Sequence, residues 1–261
     1  MAIIENTLRQ KLEAGGVAAS FNVLHWRSVN AAWLAKECGF DWLFIDLEHN
    51  SMDLDTAAQL CVASLPIGVT PLVRVPANDY SLAARILDGG AMGVVFPHVD
   101  TAEQARRAVD ACKYPPLGHR SMTAPLPQLG FATFSSAQAA EVMNRNLMVV
   151  VMLETMEAID RAEEIAAVAG VDGLMIGTND LAADMGIPGE FAHERIERAY
   201  DKLITACRNQ GKYPGMGGVY DHDLMKTFVR KGVRFLLGGS DVSFVLGAGR
   251  ARAGFLKSLS T

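Results

Sequence analysis

The chain has 261 residues, of which 50% are hydrophobic and 20% are charged, and its formal net charge is −5. A single barrel domain of about 250 residues is a common size, so the chain is long enough to form one domain with a large core. We therefore expect one domain over residues 1–261. The negative charge, with no cluster of lysine and arginine, argues against a nucleic-acid partner.

The N-terminal segment and the apolar runs argue against export and membrane insertion. Residues 1–16 carry scattered charges and lack the apolar stretch and cleavage site of a secretory signal. The longest apolar runs, such as residues 147–153, fit a buried strand and are too short to span a bilayer. The four cysteines lack the paired spacing of a zinc site or a disulfide framework. We expect a cytoplasmic protein with no membrane partner.

From residue 17 onward, short apolar runs alternate with longer segments of helical periodicity. This alternation is typical of βα units around a parallel sheet. The eight candidate strands are residues 17–24, 41–48, 70–75, 92–99, 147–154, 172–177, 213–219 and 234–239. Eight regular alternations favour a closed (β/α)8 TIM barrel over an open doubly wound sheet. The segment from Glu5 to Gly16 predicts an extra helix that covers the bottom of the barrel.

A long segment rich in proline and glycine, residues 114–136, separates the helix after the fourth strand from the fifth strand. Loops of this length without regular structure are uncommon unless they are functional. The sequence therefore predicts that this segment lies at the catalytic end of the barrel, as a lid or a subunit contact.

The active site of a TIM barrel forms at the carboxyl ends of its strands. Polar residues stand at or near the ends of six of the candidate strands: His25, Asp46, Glu48, His49, Arg74, His98, Glu154 and Asp180. Glu154 and Asp180 follow neighbouring strands, with no cysteine or paired histidine nearby, and such a hard oxygen site fits Mg²⁺ or Mn²⁺. Taken singly, Asp180 is explained as a helix N-cap and Glu154 as a strand-end salt bridge. Their positions at adjacent strand ends favour the metal site.

Two further residues are candidates for catalysis. Histidine is the side chain that most often serves as a general base near neutral pH, which makes His49 a candidate, although a lone histidine is also often a buried group bonded to the backbone. A carboxylate on its other ring nitrogen would raise its basicity, and the spacing alone leaves Asp88, Asp46 and Asp79 open. Arg74, inside an apolar strand, needs either a fixed carboxylate or an anionic substrate.

The lysines argue against imine chemistry. A Schiff-base aldolase on this fold needs a lysine in the barrel mouth. Seven of the eight lysines fall in helical patterns, and Lys212 precedes a strand. If 2-oxo acid chemistry takes place here, a metal ion must act as the electron sink.

Several segments, taken together, resemble the HpcH/HpaI aldolase family of metal-dependent pyruvate aldolases. They are FIDLEHN at 44–50, VRVPAND at 73–79, VVFPHVDTAEQA at 94–105, CKYPPLGHR at 112–120, VMLET at 151–155 and GVDGLMIGTNDLAADMG at 170–186. The match runs in order over nearly the whole chain. None of its parts would be specific alone.

The resemblance implies a role for each candidate. Glu154 and Asp180 take the places of the ligands of a divalent metal, which is Mg²⁺, Mn²⁺ or Co²⁺. His49 takes that of the base, and Asp88 that of the carboxylate that raises its basicity. Arg74 takes that of the cation that binds substrate and steadies the developing oxyanion.

The resemblance also implies how substrate and subunits are bound. Thr178 and Asn179, with Asp180, stand where the family binds the pyruvate carboxylate. Members of this family form a hexamer, a trimer of dimers that exchange C-terminal helices, and the resemblance implies the same assembly here. Residues 241–259 are therefore a candidate subunit contact. Two departures concern the substrate: Met152 replaces a glutamine, and GHRSMT at 118–123 replaces a glycine-rich turn.

The expected reaction is reversible aldol cleavage of a 4-hydroxy-2-oxo acid to pyruvate, or a related 2-oxo acid, and an aldehyde. Three alternatives remain open. A citrate-lyase-like enzyme for acyl-CoA would need a basic cluster for the CoA phosphates, for which Arg106, Arg107 and Arg120 are available. An oxaloacetate decarboxylase would use the same metal and Arg74, and a ligand-binding barrel without catalysis would need neither.

Overall fold

The computed structural model describes residues 3–123 and 125–259. Eight parallel strands close into a barrel in chain order, with β1 paired to both β2 and β8. The strands are β1 Ala18–Val23, β2 Trp42–Asp46, β3 Thr70–Arg74, β4 Gly93–Phe96, β5 Met148–Leu153, β6 Gly173–Gly177, β7 Tyr213–Gly217 and β8 Phe235–Ser240. Each overlaps its candidate strand, which confirms the predicted TIM barrel.

Twelve α-helices lie within the described ranges. They are α1 Thr7–Glu13, α2 Asn30–Glu37, α3 Leu54–Ser64, α4 Tyr80–Asp88, α5 Ala102–Cys112, α6 Ser136–Asn146, α7 Met156–Asp160, α8 Ala162–Ala166, α9 Thr178–Asp184, α10 Glu194–Gln210, α11 His222–Lys231 and α12 Asp241–Ser258. Side-chain caps define where several of them begin. Thr101 and Ser135, for example, form capping boxes with the glutamine three residues later.

The core has two layers, one inside the barrel and one between strands and helices. Successive residues of a strand point to opposite faces. In β2, Trp42 and Phe44 accordingly pack inside the barrel, whereas Leu43 and Ile45 pack against the surrounding helices. Because both faces are buried, the strands read as continuous apolar runs.

The short helix α1 covers the N-terminal end of the barrel, as predicted. Its Leu8 and Leu12 belong to the same buried cluster as Trp42 inside the barrel. The backbone N–H of Leu8 donates to Oγ1 of Thr70, the first residue of β3, at 3.0 Å. The Asn6 side chain caps the helix by accepting from the backbone N–H of Arg9. Since this end is filled, an active site must open at the carboxyl ends of the strands.

The long segment 114–136, apart from residue 124, which lies outside the described residues, does not cover the carboxyl ends. The Gln128 side chain donates to the carbonyls of Leu87 and Ala91, which precede β4, at 2.6 and 2.8 Å. The backbone N–H of Ile4 in turn donates to the carbonyl of Gln128 at 3.1 Å. The prediction of a lid at the catalytic end is therefore wrong, because the chain has already returned along α5 to the N-terminal end. A subunit contact here stays a prediction.

The last helix, α12, lies largely outside the barrel. Of its residues only Asp241 is buried. The exposed apolar side chains on it are Phe244, Val245, Leu246, Phe255 and Leu256. Near its start, Phe244 stacks on Phe21 of β1 with ring centroids 5.5 Å apart. Among the residues that the structure describes, neither α12 nor any other helix has the length and apolar character needed to cross a membrane.

Candidate active site

A cavity of about 220 Å³ opens at the carboxyl ends of the strands. Its lining includes six of the seven predicted site residues: His49, Arg74, Glu154, Thr178, Asn179 and Asp180. Met152 is buried and contributes part of the apolar wall. The seventh residue, Asp88, lies elsewhere. Strand ends that are far apart in sequence are thus brought together as the barrel predicts.

The two predicted metal ligands follow the neighbouring strands β5 and β6. Glu154 is buried, and its Oε2 accepts a hydrogen bond from the backbone N–H of His98 at 2.7 Å. Asp180 is exposed in the first turn of α9, and its carboxylate has no hydrogen bond or ion pair to the described part of the chain. Both carboxylates line the same cavity.

The electrostatics of this pair favour a bound cation. Burial raises the pKa of Glu154, the backbone N–H of His98 opposes that rise, and the negative charge of Asp180 adds to it. Within the described ranges, no group of three or more histidine, cysteine, aspartate or glutamate side chains is arranged to hold a metal. Two hard oxygen ligands with open positions around them fit a divalent cation that also takes water and substrate oxygens.

Gly177 makes room for Glu154. A Cβ atom built on Gly177 would overlap Oε1 of Glu154 and lie 2.7 Å from its Cγ. The glycine at the end of β6 therefore allows the buried carboxylate to lie directly against the strand that leads into α9. Any larger residue at this position would displace Glu154.

Arg74 is held by two fixed carboxylates. Its Nε and Nη2 donate to Oδ1 and Oδ2 of Asp46 at 2.9 and 2.6 Å, and its Nη1 lies 3.1 Å from Oε2 of Glu48. Burial alone would lower the pKa of Arg74, but Asp46 and Glu48 raise it. Of the two alternatives for Arg74, the structure shows the fixed carboxylate. A guanidinium has five N–H groups, so donors remain for a substrate in the cavity.

His49 projects into solvent at the edge of the cavity, with 61% of its side chain exposed. It is therefore not a buried histidine bonded through its ring to the backbone. Its Nε2 lies 3.5 Å from Oε2 of Glu48, while its backbone N–H donates to Asp46. Among the described residues, Glu48 is the carboxylate within ion-pair distance of this imidazole.

Asp88 does not contact His49 within one chain. It is the last residue of α4, a helix that runs away from the catalytic end, and it accepts a hydrogen bond from Nη2 of Arg120 at 2.6 Å. Of the other two candidates, Asp46 pairs with Arg74 and Asp79 caps α4. The predicted pairing of Asp88 with His49 is thus not formed in this chain, and its effect on the histidine stays a prediction.

Thr178 and Asn179 begin α9 at the wall of the cavity. The hydroxyl of Thr178 is buried, donates to the carbonyl of Gly217 at 2.6 Å and lies 2.8 Å from the hydroxyl of Tyr200. The hydroxyl of Thr178 is therefore occupied by bonds within the fold, and only the backbone of this residue is available to a ligand. Asn179 is exposed, with its Nδ2 close to Gly218.

Three polar residues of the site had no role in the sequence analysis. Glu48 lies between the side chains of Arg74, His49 and His98. His98 contacts Glu154, and Tyr220 reaches the cavity from the loop after β7. Burial raises the pKa of Tyr220, which Arg74 and a hydrogen bond to Asn22 oppose. Glu48 and His98 could have been found from their strand-end positions, whereas Tyr220 follows a loop whose path the sequence does not specify.

Comparisons with known proteins identify the family of the chain. The family model for HpcH/HpaI aldolase/citrate lyase matches residues 24–248. The 4-hydroxy-4-methyl-2-oxoglutarate aldolase of Chaetomium globosum is 42% identical over 241 residues, which cover 91% of this chain and 89% of that protein. The enzyme of the same name from Hapsidospora irregularis is 41% identical over 236 residues, covering 90% and 87%.

The fold comparison gives the same answer. The crystal structure of the HpcH/HpaI aldolase from Desulfitobacterium hafniense DCB-2 superimposes with a TM-score of 0.88 at 29% identity, covering 97% of this chain and 96% of that one. The matched region includes every residue that lines the cavity except Asn22. The chain therefore belongs to the HpcH/HpaI aldolase/citrate lyase family and is a carbon–carbon lyase of the aldolase type.

Proposed function

We propose that this aldolase uses a divalent metal ion, bound by Glu154 and Asp180, to interconvert a 4-hydroxy-2-oxo acid with pyruvate, or a related 2-oxo acid, and an aldehyde. The observation that carries the proposal is the pair of carboxylates from adjacent strands that face one cavity beside Arg74. The names of the two relatives from Chaetomium globosum and Hapsidospora irregularis, both 4-hydroxy-4-methyl-2-oxoglutarate aldolases, support this substrate class. Mg²⁺, Mn²⁺ and Co²⁺ all suit such a site.

The metal would supply Lewis-acid polarisation of the keto oxygen of the 2-oxo acid. His49, exposed at the cavity edge, removes a C3 proton of the 2-oxo acid, through a water molecule, to give the enolate. In the cleavage direction it takes the proton of the 4-hydroxyl group. Glu48 is close enough to hold the imidazole in place.

Arg74 is suited to stabilise the oxyanion that grows in the transition state. Its contacts to Asp46 and Glu48 fix the guanidinium before substrate arrives, so little reorganisation is needed. A well-placed donor of this kind typically contributes about 3 kcal/mol to transition-state stabilisation.

The start of α9 is suited to bind the carboxylate of the 2-oxo acid. The first N–H groups of a helix have no carbonyl partner within that helix. We assign this contact to the backbone of Thr178 and Asn179, because the hydroxyl of Thr178 already bonds to Gly217.

We also infer that the single domain assembles into a homo-oligomer, with a trimer of dimers as the specific expectation. The exposed apolar side chains of α12, which include Phe255 and Leu256, support a subunit contact through this helix. An exposed apolar surface of this kind is typical of a protein interface.

An acyl-CoA lyase fits less well. Arg106 pairs with Glu103, Arg107 stacks on Tyr80, and Arg120 is buried. None of these three arginines lines the cavity, so they do not offer a binding surface for CoA phosphates beside it. An oxaloacetate decarboxylase would use the same residues, and it differs in releasing carbon dioxide without an aldehyde.

The test measures exchange of the C3 protons of pyruvate for deuterium, and NMR monitors the loss of the proton signal. We expect exchange with Mn²⁺ present, loss of exchange with EDTA, and recovery when Mn²⁺ is restored. His49→Ala should slow exchange by about 10²–10⁴-fold, the usual contribution of a general base. His119→Gln, which changes an exposed histidine paired with Asp110 outside the cavity, is the matched control and should exchange normally.

Exchange that persists both in EDTA and in His49→Ala would overturn the proposal. The substrate class is then tested by pyruvate release from 4-hydroxy-4-methyl-2-oxoglutarate. Carbon dioxide release from oxaloacetate, with no cleavage of any 4-hydroxy-2-oxo acid, would favour the decarboxylase instead.

A further inference from the structure

His98 lies between β4 and α5 in a backbone conformation that is uncommon for residues other than glycine. Its φ angle is 52°, in the left-handed region that favours glycine. Such a conformation persists only where surrounding contacts require it, and it is often found at functional sites. Here it aims the backbone N–H at Oε2 of Glu154, which accepts at 2.7 Å.

The ring of His98 contacts the same carboxylate oxygen. Its Nδ1 lies 3.2 Å from Oε2 of Glu154, so one residue holds that oxygen through both backbone and side chain. The other oxygen of Glu154, Oε1, lies against Gly177, at the strand end that leads to Asp180. It has no hydrogen-bond partner among residues 3–123 and 125–259.

The opposite side of the ring faces Glu48. Nε2 of His98 lies 3.6 Å from Oε1 of Glu48, and the other oxygen of Glu48 lies 3.1 Å from Arg74 and 3.5 Å from His49. A continuous set of contacts therefore joins the metal-binding carboxylate to the candidate base and to the candidate oxyanion donor. Residues that hydrogen-bond to a metal ligand without contacting the metal commonly change the affinity for that metal.

We infer that His98 is a positioning residue with two separable effects. Through its backbone N–H and Nδ1 it fixes the Glu154 carboxylate so that Oε1 is free for the cation. Through Nε2 it steadies Glu48, and with it Arg74 and His49. The inference rests on the proposed function, because it takes Glu154 to be a metal ligand.

The exposure of His98 argues against a purely structural role. The ring is 45% exposed, and the ion-pair contacts of the side chain within the described residues are to the two site carboxylates. Removing the ring should therefore affect the site more than the stability of the fold.

The experiment compares Mn²⁺ affinity, measured by calorimetry or EPR, in four variants and the natural enzyme. His98→Gly keeps the left-handed backbone and its N–H donor but removes the ring. We expect it to weaken Mn²⁺ binding by about 10–100-fold, the usual effect of losing such a partner. His98→Asn tolerates the same backbone and places an amide where Nδ1 stands. It should restore most of the affinity.

The exchange reaction distinguishes the effect of His98 on Glu154 from its effect on Glu48. At saturating Mn²⁺, both His98→Gly and His98→Asn should still exchange pyruvate C3 protons more slowly than the natural enzyme, because neither side chain reaches Glu48. Glu154→Gln reports on the metal site itself, and His119→Gln, an exposed histidine remote from the cavity, is the control. Thermal unfolding of each variant shows whether the fold is retained.

The outcomes distinguish the two proposals. Unchanged Mn²⁺ affinity in Glu154→Gln would overturn the proposed function. Loss of affinity in Glu154→Gln, with natural affinity and exchange rate in His98→Gly, would overturn the positioning role alone. If His98→Gly fails to fold, the exchange rate of His98→Asn at saturating Mn²⁺ is the test instead. A rate equal to that of the natural enzyme would contradict the link between His98 and Glu48.

Discussion

Charged side chains are buried at both ends of the barrel, but the groups that neutralise these charges differ between the two ends. At the N-terminal end, Asp172 accepts from Nη2 of Arg9 at 2.7 Å and lies 3.4 Å from Nζ of the buried Lys113. Lys113 also donates to the carbonyls of Asn144 and Leu147. This cluster ties helix α1 and the segment after α5 to the start of the barrel.

At the carboxyl end, negative charge is in excess. Asp46 and Glu48 both pair with the guanidinium of Arg74, whereas neither Glu154 nor Asp180 forms an ion pair with an arginine or lysine among the described residues. Burial raises the pKa of Glu154 and the charge of Asp180 adds to that rise, an effect that a bound cation would offset. The comparison therefore supports our proposal that charge at the N-terminal end stabilises the fold, whereas charge at the carboxyl end binds a cation.

The sharpest way to break this comparison is to neutralise one aspartate at each end. Asp180→Asn should abolish metal-dependent exchange of pyruvate C3 protons and leave stability nearly unchanged, because Asp180 is exposed and unpaired among the described residues. Asp172→Asn should retain exchange but lose about 3–5 kcal/mol of unfolding free energy, because it leaves Lys113 and Arg9 without their counter-charge.

NMR exchange and urea unfolding of both variants check these outcomes. The comparison would be wrong if Asp180→Asn kept its activity, or if Asp172→Asn lost activity without losing stability.

A second change separates charge from geometry at the carboxyl end. Arg74→Lys keeps the positive charge but cannot donate two parallel hydrogen bonds to Asp46. We expect kcat to fall by about 10²–10³-fold, as for loss of an oxyanion donor, while Mn²⁺ affinity changes little. Steady-state kinetics measure the fall in kcat. The control is Arg106→Lys, which changes an exposed arginine on α5. A variant with normal kcat would remove Arg74 from the mechanism.

The sequence predicted the barrel because burial on both faces leaves a direct signal in composition. Runs such as β5, Met148–Leu153, are apolar throughout and are separated by amphipathic helices. The same regularity placed Glu154 and Asp180 at adjacent strand ends, and the structure brings them to one cavity. Convergence of strand ends follows from topology alone and needs no knowledge of loop conformation.

The remaining features depend on loop and helix geometry that the sequence does not encode in a readable way. The left-handed backbone of His98, which aims its N–H at Glu154, has no composition signal in a non-glycine residue. Asp88 lies at the far end of α4, a direction that spacing from His49 does not reveal. The length of the segment around Gln128 does not reveal its place, because the segment follows helix α5 and therefore lies at the N-terminal end of the barrel.

The smallest expected effect concerns pH and the N-terminal cluster. Burial lowers the pKa of Lys113, an effect that Asp172 only partly opposes, so the folded state releases this proton at lower pH than the unfolded chain does. The stability cost of burying the charged lysine is therefore full below the folded pKa. It disappears as pH rises toward the unfolded value of about 10.4.

Lys113→Met, which has no such titration, should be less stable than the natural enzyme at alkaline pH, because two carbonyls lose their donor. The difference should narrow as pH falls toward neutrality, where the natural enzyme carries the buried charge. Urea unfolding between neutral pH and about pH 10, just below the unfolded lysine pKa, measures it. Pyruvate C3 exchange by the folded variant should match the natural enzyme, since Lys113 lies at the end of the barrel opposite the cavity. A difference in stability that is constant with pH would show that Lys113 stays charged throughout, and that Asp172 compensates its burial fully.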